Sequence, residues 1–342
     1  MSDEQWPAGR GLGHGHGESS HAVMIRAFMR GRGRGRGQST WRGGRGGAGR
    51  GLISQISQRE SLRQSLAIQA AQTGTALPFI LKDLPNLKAH ESELLTLGTD
   101  LPPLKKEDCP NHPKTTIKVI NQDAFDAAIS MMSSDNPDTS NRPPTRPAVL
   151  NHASDTSPGG GWLNGAMAQE EALCYRSSLS LSLHKRYYPF GDLQGIYTRD
   201  VVIVRSSLQK DHKLVDTDEP FDKLPVVSVL SVAALRLPDT ATLAGTQKSG
   251  FLNTEDRVTT KNKMMLVLRM AASRGHDRLV LGALGCGAFR NPVHEIAECW
   301  KEVFEEQEFS GGWWKEVWFA VMDKKNGTIS DTFEKTLGGL EC

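Results

Sequence analysis

The chain has 342 residues, 38% of them hydrophobic and 23% charged, with a formal net charge of +2, enough for one or two domains. The charge is uneven: the first 50 residues hold nine arginines, no lysine and three acids, close to +6, which leaves the remainder near −4 (2 − 6). No uninterrupted apolar run is long enough to cross a bilayer, and no hydrophobic leader opens the sequence, so a membrane role and secretion are not expected and an intracellular protein is.

Residues 1–54 are expected to form a disordered tail. Fourteen of the first 50 residues are glycine, and Arg30 to Gly37 is a strict Arg-Gly repeat. Such a segment has too little apolar surface to offset the entropy of ordering it. Mobile guanidinium forks can follow a polyanion backbone, so either RNA or another phosphate polymer is a partner, or the tail is merely solvated. A single domain is expected over residues 55–342.

The pattern turns helical from Glu60 to about Ala71, where Leu62, Leu66 and Ile68 lie among good helix formers. Residues 85–114 are proline-interrupted and read as loops. They include Cys109-Pro-Asn-His112, the spacing of half a zinc site. No second Cys/His pair follows at zinc-site spacing, so no metal is expected. The five cysteines are odd in number and widely spaced, and read as reduced thiols.

A regular alternation follows. Thr116 to Ile120 reads as a strand, Asp123 to Met131 as a helix, Ser133 to Pro147 as a polar, proline-rich insertion, and Pro147 to Leu150 as a buried strand. A glycine-rich loop leads from there into a long helix expected over 166–187. Strands are expected at Asp200 to Arg205, Leu224 to Ala233, Arg278 to Leu284 and Glu316 to Met322. Helices are expected at Asn253 to Ser273, Pro292 to Gln307 and Thr328 to Leu337, with Pro292 suited to a first helical turn. Strands alternating with helices predict an α/β layered fold with a mostly parallel sheet, whose ligands bind beyond the carboxyl ends of the strands.

Two glycine-rich loops leave strands at those ends: Asn151 to Gly165, and Gly285-Cys-Gly-Ala-Phe-Arg290. Glycine lets backbone approach a ligand closely, and amides at a helix start attract anions. Together the loops suit a diphosphate; singly, each is also an ordinary strand-to-helix turn. Neither has the lysine of a phosphate-binding Walker loop. Glu170 and Glu171 follow the first loop. Neighbours on a helix point about 100° apart, so they cannot do the same job. Either one carboxylate faces a cleft, or both simply favour the positive end of the helix dipole, for roughly 0.3–1 kcal/mol each.

The spacing GGG-x7-QEE from Gly159 to Glu171, within the longer run Val149 to Glu171, resembles the signature of the microbial-type poly(ADP-ribose) glycohydrolases. Leu281 to Phe289 is similar to a second family motif, and Val229-Leu-Ser-Val-Ala-Ala to a weaker third. Their order agrees over roughly residues 55–335. The resemblance implies a three-layer macrodomain-like fold with an ADP-ribose cleft at the strand ends. It implies hydrolysis of ribose–ribose O-glycosidic bonds with Glu171 as general acid/base and Glu170 holding the ribose. It places Gly159, Gly160 and Gly161 against ribose and diphosphate, and Gly285, Cys286, Gly287 and Ala288 around the diphosphate. Phe289 would pack on the distal ribose, Asn151 would contact a ribose, and Gln169 belongs to the substrate-binding set. A histidine at 152 is expected to stack or pack rather than to catalyse.

No metal or cofactor is required. The partners implied are poly(ADP-ribose) or ADP-ribosylated proteins, with nucleus or cytoplasm as the location. Two alternatives remain: an ADP-ribose reader or a hydrolase of a related adduct using the same cleft, and an RNA-binding protein acting through its tail. The acid role asks for a raised pKa at Glu171, supplied by a desolvated cleft and the Glu170 charge.

Overall fold

In the computed structural model, residues 47–133, 146–215, 220–243, 245–246, 248–323 and 327–342 are described, with side chains from residue 57 onward. Residues 1–46 of the expected tail and most of the Ser133–Pro147 insertion lie outside them.

A seven-stranded sheet forms the middle layer. Its strands are β1 (Glu93–Thr96), β2 (Lys118–Ile120), β3 (Ala148–His152), β4 (Gln194–Val202), β5 (Val226–Val232), β8 (Arg278–Leu281) and β9 (Glu316–Ala320). β6 (Thr240–Thr242) and β7 (Ser249–Phe251) make a separate hairpin. The order across the sheet is β1-β4-β5-β3-β8-β9-β2. β5, β3, β8, β9 and β2 run parallel, and β4 pairs antiparallel with both β5 and β1.

Period-two alternation assigns each strand side chain to a layer. In β3, Val149 faces one core and Ala148 and Leu150 the other; in β9, Val317 and Phe319 face one while Trp318 and Ala320 pack on the other. One face is covered by α4 (Thr254–Ser273), α5 (Val293–Glu305) and α6 (Thr328–Leu337), around Trp300, Phe319 and Phe333. The opposite face is covered by α1 (Gly47–Lys82), α2 (Ala124–Ser133) and α3 (Gln169–Arg176), around Phe125, Trp162 and Tyr175. This is the three-layer, mostly parallel α/β arrangement expected from the sequence. Among the described residues no helix is long and apolar enough to cross a membrane.

Five elements differ from expectation. α1 is 36 residues long and runs through the 54/55 boundary and past Pro78 to Lys82, because Leu77 and Ile80 find a buried partner surface in Val202 and Val204. α3 has eight residues rather than the expected span of 166–187. Its end is set by serines. Ser177 adopts an extended backbone and bridges Ile203, Ser178 N–H donates to the Val202 carbonyl, and the Ser178 hydroxyl accepts from Val202 N–H. Hydroxyls that bond backbone locally compete with helix continuation. β4 starts at Gln194 instead of Asp200, and β1 lies inside the segment read as loop. Pro292 stands just before α5, at its cap, rather than in its first turn.

Cys109 and His112 make tertiary contacts with distant segments. Cys109 Sγ donates to the Gly311 carbonyl at 3.1 Å, and His112 Nε2 lies 3.2 Å from Asp277. All five cysteines are free, and the described residues hold no cluster suited to a metal ion.

Candidate active site

The site forms where β3 ends. The chain passes from Asn151 through the glycine loop into α3, which begins at Gln169. Gln169 fastens that helix start to the strand. Its Oε1 accepts from His152 N–H at 2.8 Å, and its Nε2 donates to the Leu150 carbonyl at 2.7 Å. The side-chain amide thus acts as a short piece of neighbouring strand, and both of its polar groups are used by β3 backbone.

Glu170 and Glu171 are both buried, and they divide as neighbours on a helix must. Glu171 turns toward the glycine loop: Oε1 accepts from Gly161 N–H at 2.9 Å, and Oε2 accepts from Ala168 N–H at 3.0 Å. Two amides therefore fix its carboxylate in position. Gly160 lies against it with φ of +58°, and a Cβ there would stand 2.4 Å from Glu171 Oε1. Glycine is required at 160 on both counts, conformation and space.

Glu170 turns toward β3. Its Oε2 accepts from Ser154 N–H at 2.7 Å, and Asn151 Nδ2 approaches Oε1 at 3.4 Å while also donating to the Ser231 hydroxyl at 3.0 Å. Burial, opposed by the Ser154 N–H and reinforced by the Glu171 charge, raises the Glu170 pKa to about 8. Near neutral pH it holds a proton, so the Glu170 charge expected beside Glu171 is absent there.

Several buried polar atoms around this strand end have no hydrogen-bond partner among the described residues: Asn151 Oδ1, His152 Nε2, Asp155 Oδ1 and the Tyr188 hydroxyl. Such atoms are uncommon, and gathered at one place they mark where a polar ligand would complete the network. Burial pushes His152 down to about 4, so its ring is neutral at physiological pH.

The second loop forms a facing wall. Asn291, buried and unremarked in the sequence, holds its shape: Nδ2 donates to the Leu235 carbonyl at 2.7 Å and the Gly285 carbonyl at 3.3 Å. Gly287 and Ala288 are exposed, and Phe289 is half-buried with the Arg236 guanidinium 5.5 Å above its ring. Burial pushes the Cys286 thiol up, so it is a neutral wall contact rather than a nucleophile. A cavity of about 420 Å³ joins the two loops, lined by His152 and Gln169 on one side and Cys286 and Gly287 on the other, and it extends toward Asp123 and Met322. Gly159, Gly160, Gly161, Glu170, Glu171 and Phe289 lie outside its lining.

Two supports were not legible as site elements. α1 braces the first loop, with the Arg63 backbone against Gly165 and Leu66 in the same core as Trp162 and Tyr175. Arg176 pins the far end of α3 to α2 through Asp123 and Asp126, with Nε donating to the Arg205 carbonyl.

Fold and site together define a three-layer α/β protein with a buried carboxylate pair on a helix start, beside a cavity that joins two glycine loops. The sequence agrees: residues 59–206 match the family described as microbial-type PARG, catalytic domain, PARG being poly(ADP-ribose) glycohydrolase. No curated protein matches.

Among solved structures, the poly(ADP-ribose) glycohydrolase from Thermomonospora curvata superposes with a TM-score of 0.63 at 24% identity, over 80% of this chain and 99% of that one. The same enzyme bound to the inhibitor ADP-HPD gives 0.60 over the same shares at 24% identity. The poly(ADP-ribose) glycohydrolase from Deinococcus radiodurans, in complex with ADP-ribose, gives 0.58 at 27% identity, over 74% of this chain and 97% of that one.

Proposed function

We propose that this protein is a glycosidase that hydrolyses the ribose–ribose O-glycosidic bonds of poly(ADP-ribose), releasing ADP-ribose, with Glu171 as general acid/base and Glu170 as the group that holds the ribose. The observation carrying the proposal is the contact of the Gly160–Gly161 backbone with the Glu171 carboxylate, in a stretch that matches the microbial-type catalytic domain.

Cleavage builds positive charge on one ribose and negative charge on the departing oxygen. Glu171 in its acid form donates a proton to that oxygen. As carboxylate it then accepts a proton from the attacking water. A neutral Glu170 can donate its carboxyl hydrogen to a sugar hydroxyl while Ser154 N–H keeps the group in place. The substrate's diphosphate, lying against the loops, stabilises the oxocarbenium-like ribose. Two carboxylates on one helix turn sit on the same side of the substrate, unlike glycosidases whose acid and nucleophile flank the bond.

Substrates of this chemistry are the free polymer and proteins that carry it, inside the cell. The Arg-Gly tail has an accessory role, holding polymer or RNA near the domain. The test is incubation of poly(ADP-ribose) with the full chain, reading free ADP-ribose. Release at a rate well above background is expected. Binding of ADP-ribose without release would reduce the protein to a reader and overturn the proposal.

A further inference from the structure

On the sheet edge opposite the two glycine loops lie two connected grooves of about 520 and 540 Å³, which share Glu93, Tyr197 and Arg199. They open where the parallel strands begin: Arg146 precedes β3, His276 precedes β8, and Ser228 lies in the first half of β5. The catalytic loops leave the other ends of β3 and β8, so the grooves are separate from the cleft.

Their cations are Lys88, Arg146, Arg186, Arg199 and Arg274, against the acids Glu91 and Glu93. Several are neutralised in place. Lys88 pairs with Glu91, Arg274 with Glu93, and Arg146 with the buried Asp200. Arg199 and Arg186 have no carboxylate partner among the described residues. The Arg186 guanidinium stands 4.8 Å from the Tyr187 ring centroid and donates to the Tyr187 hydroxyl at 3.1 Å, which limits its freedom before any ligand arrives.

Arg199 is placed by a defect in the sheet. The β4–β5 register shifts between Thr198 and Val201, and within β4 Arg199 is the one exposed position. A bulge of this kind re-aims a side chain. Here it turns Arg199 out into the shared part of the grooves and Asp200 inward to Arg146, while the Ser228 hydroxyl donates to the Arg199 carbonyl at 2.8 Å. An unpaired guanidinium aimed by a backbone irregularity into a cationic groove is a receptor for a phosphate-type anion.

We infer that this groove, centred on Arg199, is a second binding site for the poly(ADP-ribose) chain, holding diphosphates of the polymer away from the bond being cut. The inference rests on the proposed polymer chemistry of the cleft. The groove's few unpaired cations suit widely spaced diphosphates joined by flexible sugar linkages. A chain gripped on the far edge remains tethered after each cleavage at its end, which raises the local concentration of the next bond.

The test measures binding of end-labelled poly(ADP-ribose) by anisotropy to the full chain carrying Glu171→Gln, with and without Arg199→Glu. Both proteins keep the Arg-Gly tail, so their difference isolates the groove. The expected result is about tenfold weaker polymer binding with a shallower salt dependence, by roughly one ion or more. ADP-ribose monomer should bind within about twofold of the parent, as befits a site remote from the cleft. Arg199→Lys should restore most of the affinity, and Arg186→Glu, on a separate turn, should weaken polymer binding in the same direction. Unchanged polymer binding in Arg199→Glu overturns the inference. So does a parallel loss of monomer binding, or a larger loss for single-stranded RNA of equal length than for the polymer. If the wild-type chain cleaves no polymer, the cleft's proposed activity fails, and this binding comparison still decides the groove.

Discussion

Gly160→Ala is the sharpest structural test of the catalytic loop. The added Cβ would stand 2.4 Å from Glu171 Oε1 and 3.1 Å from its Cδ, with the backbone at φ +58°. An alanine held in the left-handed region costs about 1–2 kcal/mol. Bringing the carboxylate oxygen out to a tolerable contact requires about 0.8 Å of movement (3.2 − 2.4) from a position that two amides hold. A catalytic group displaced by that distance loses on the order of a hundredfold in rate. The assay is kcat on a short poly(ADP-ribose) substrate beside the thermal midpoint. A hundredfold fall in kcat with a midpoint lowered by only about 2–8 °C is expected. If the variant folds and retains kcat within about twofold of wild type, the loop does not position Glu171, and the reasoning is refuted.

Glu170 makes stability depend on pH. Its folded pKa, about 8, lies above the ordinary carboxyl value of 4.5. Between the two, the folded state keeps a proton that the unfolded state releases, so stability falls as pH rises through that window and levels off above it. Glu170→Gln removes this fall: unfolding free energies from urea titration should match wild type near pH 4 and exceed it at pH 8.5, by about 1–3 kcal/mol. Arg176→Met leaves Asp123 and Asp126 without their buried partner and should cost about 3–5 kcal/mol at pH 7 by denaturant unfolding. Burial works against the Asp126 charge, yet Arg176 and Ser207 hold its carboxyl below the ordinary value of 3.8. Its share of the penalty is therefore present above about pH 4 and lost as pH falls through the folded pKa. Gln169→Leu deletes the two hydrogen bonds from the Gln169 amide to β3 and should lower kcat about tenfold or more, with a smaller effect on KM, read by steady-state kinetics on the short substrate.

Much of this architecture was legible because strands buried on both faces keep apolar runs in the sequence. The apolar stretch that holds Val226 to Val232 and the apolar run before Asn151 place those strands correctly, and glycines mark both loops at the carboxyl edge. What escaped depends on distant contacts. Nothing local in α1 says that Leu77 and Ile80 will be buried against the Val202–Val204 segment, so the helical pattern reads as ending near Ala71. The serines after Arg176 look like tolerable helix residues until Ser177 and Ser178 bond the strand at Ile203 and Val202. β1, β6 and β7 are too short, at three or four residues, to show a period.

Within the site, the glycine triplet and the acidic pair could be read. Gln169 turns out to spend both polar groups on β3. The shift at Glu170 arises from burial that only the assembled sheet supplies. Asn291 had one signal, an asparagine directly before a proline at the end of a glycine loop, but its grip on Leu235 spans 56 residues.

The division of labour between the two glutamates is tested most directly by comparing Glu171→Gln and Glu170→Gln for polymer hydrolysis and for ADP-ribose binding. Glu171→Gln is predicted to lose at least about a hundredfold in hydrolysis, the scale of removing an acid/base group, while binding ADP-ribose within about threefold of wild type. Glu170→Gln is predicted to weaken binding as well as rate. A Glu171→Gln protein that still releases ADP-ribose at the wild-type rate would contradict the account.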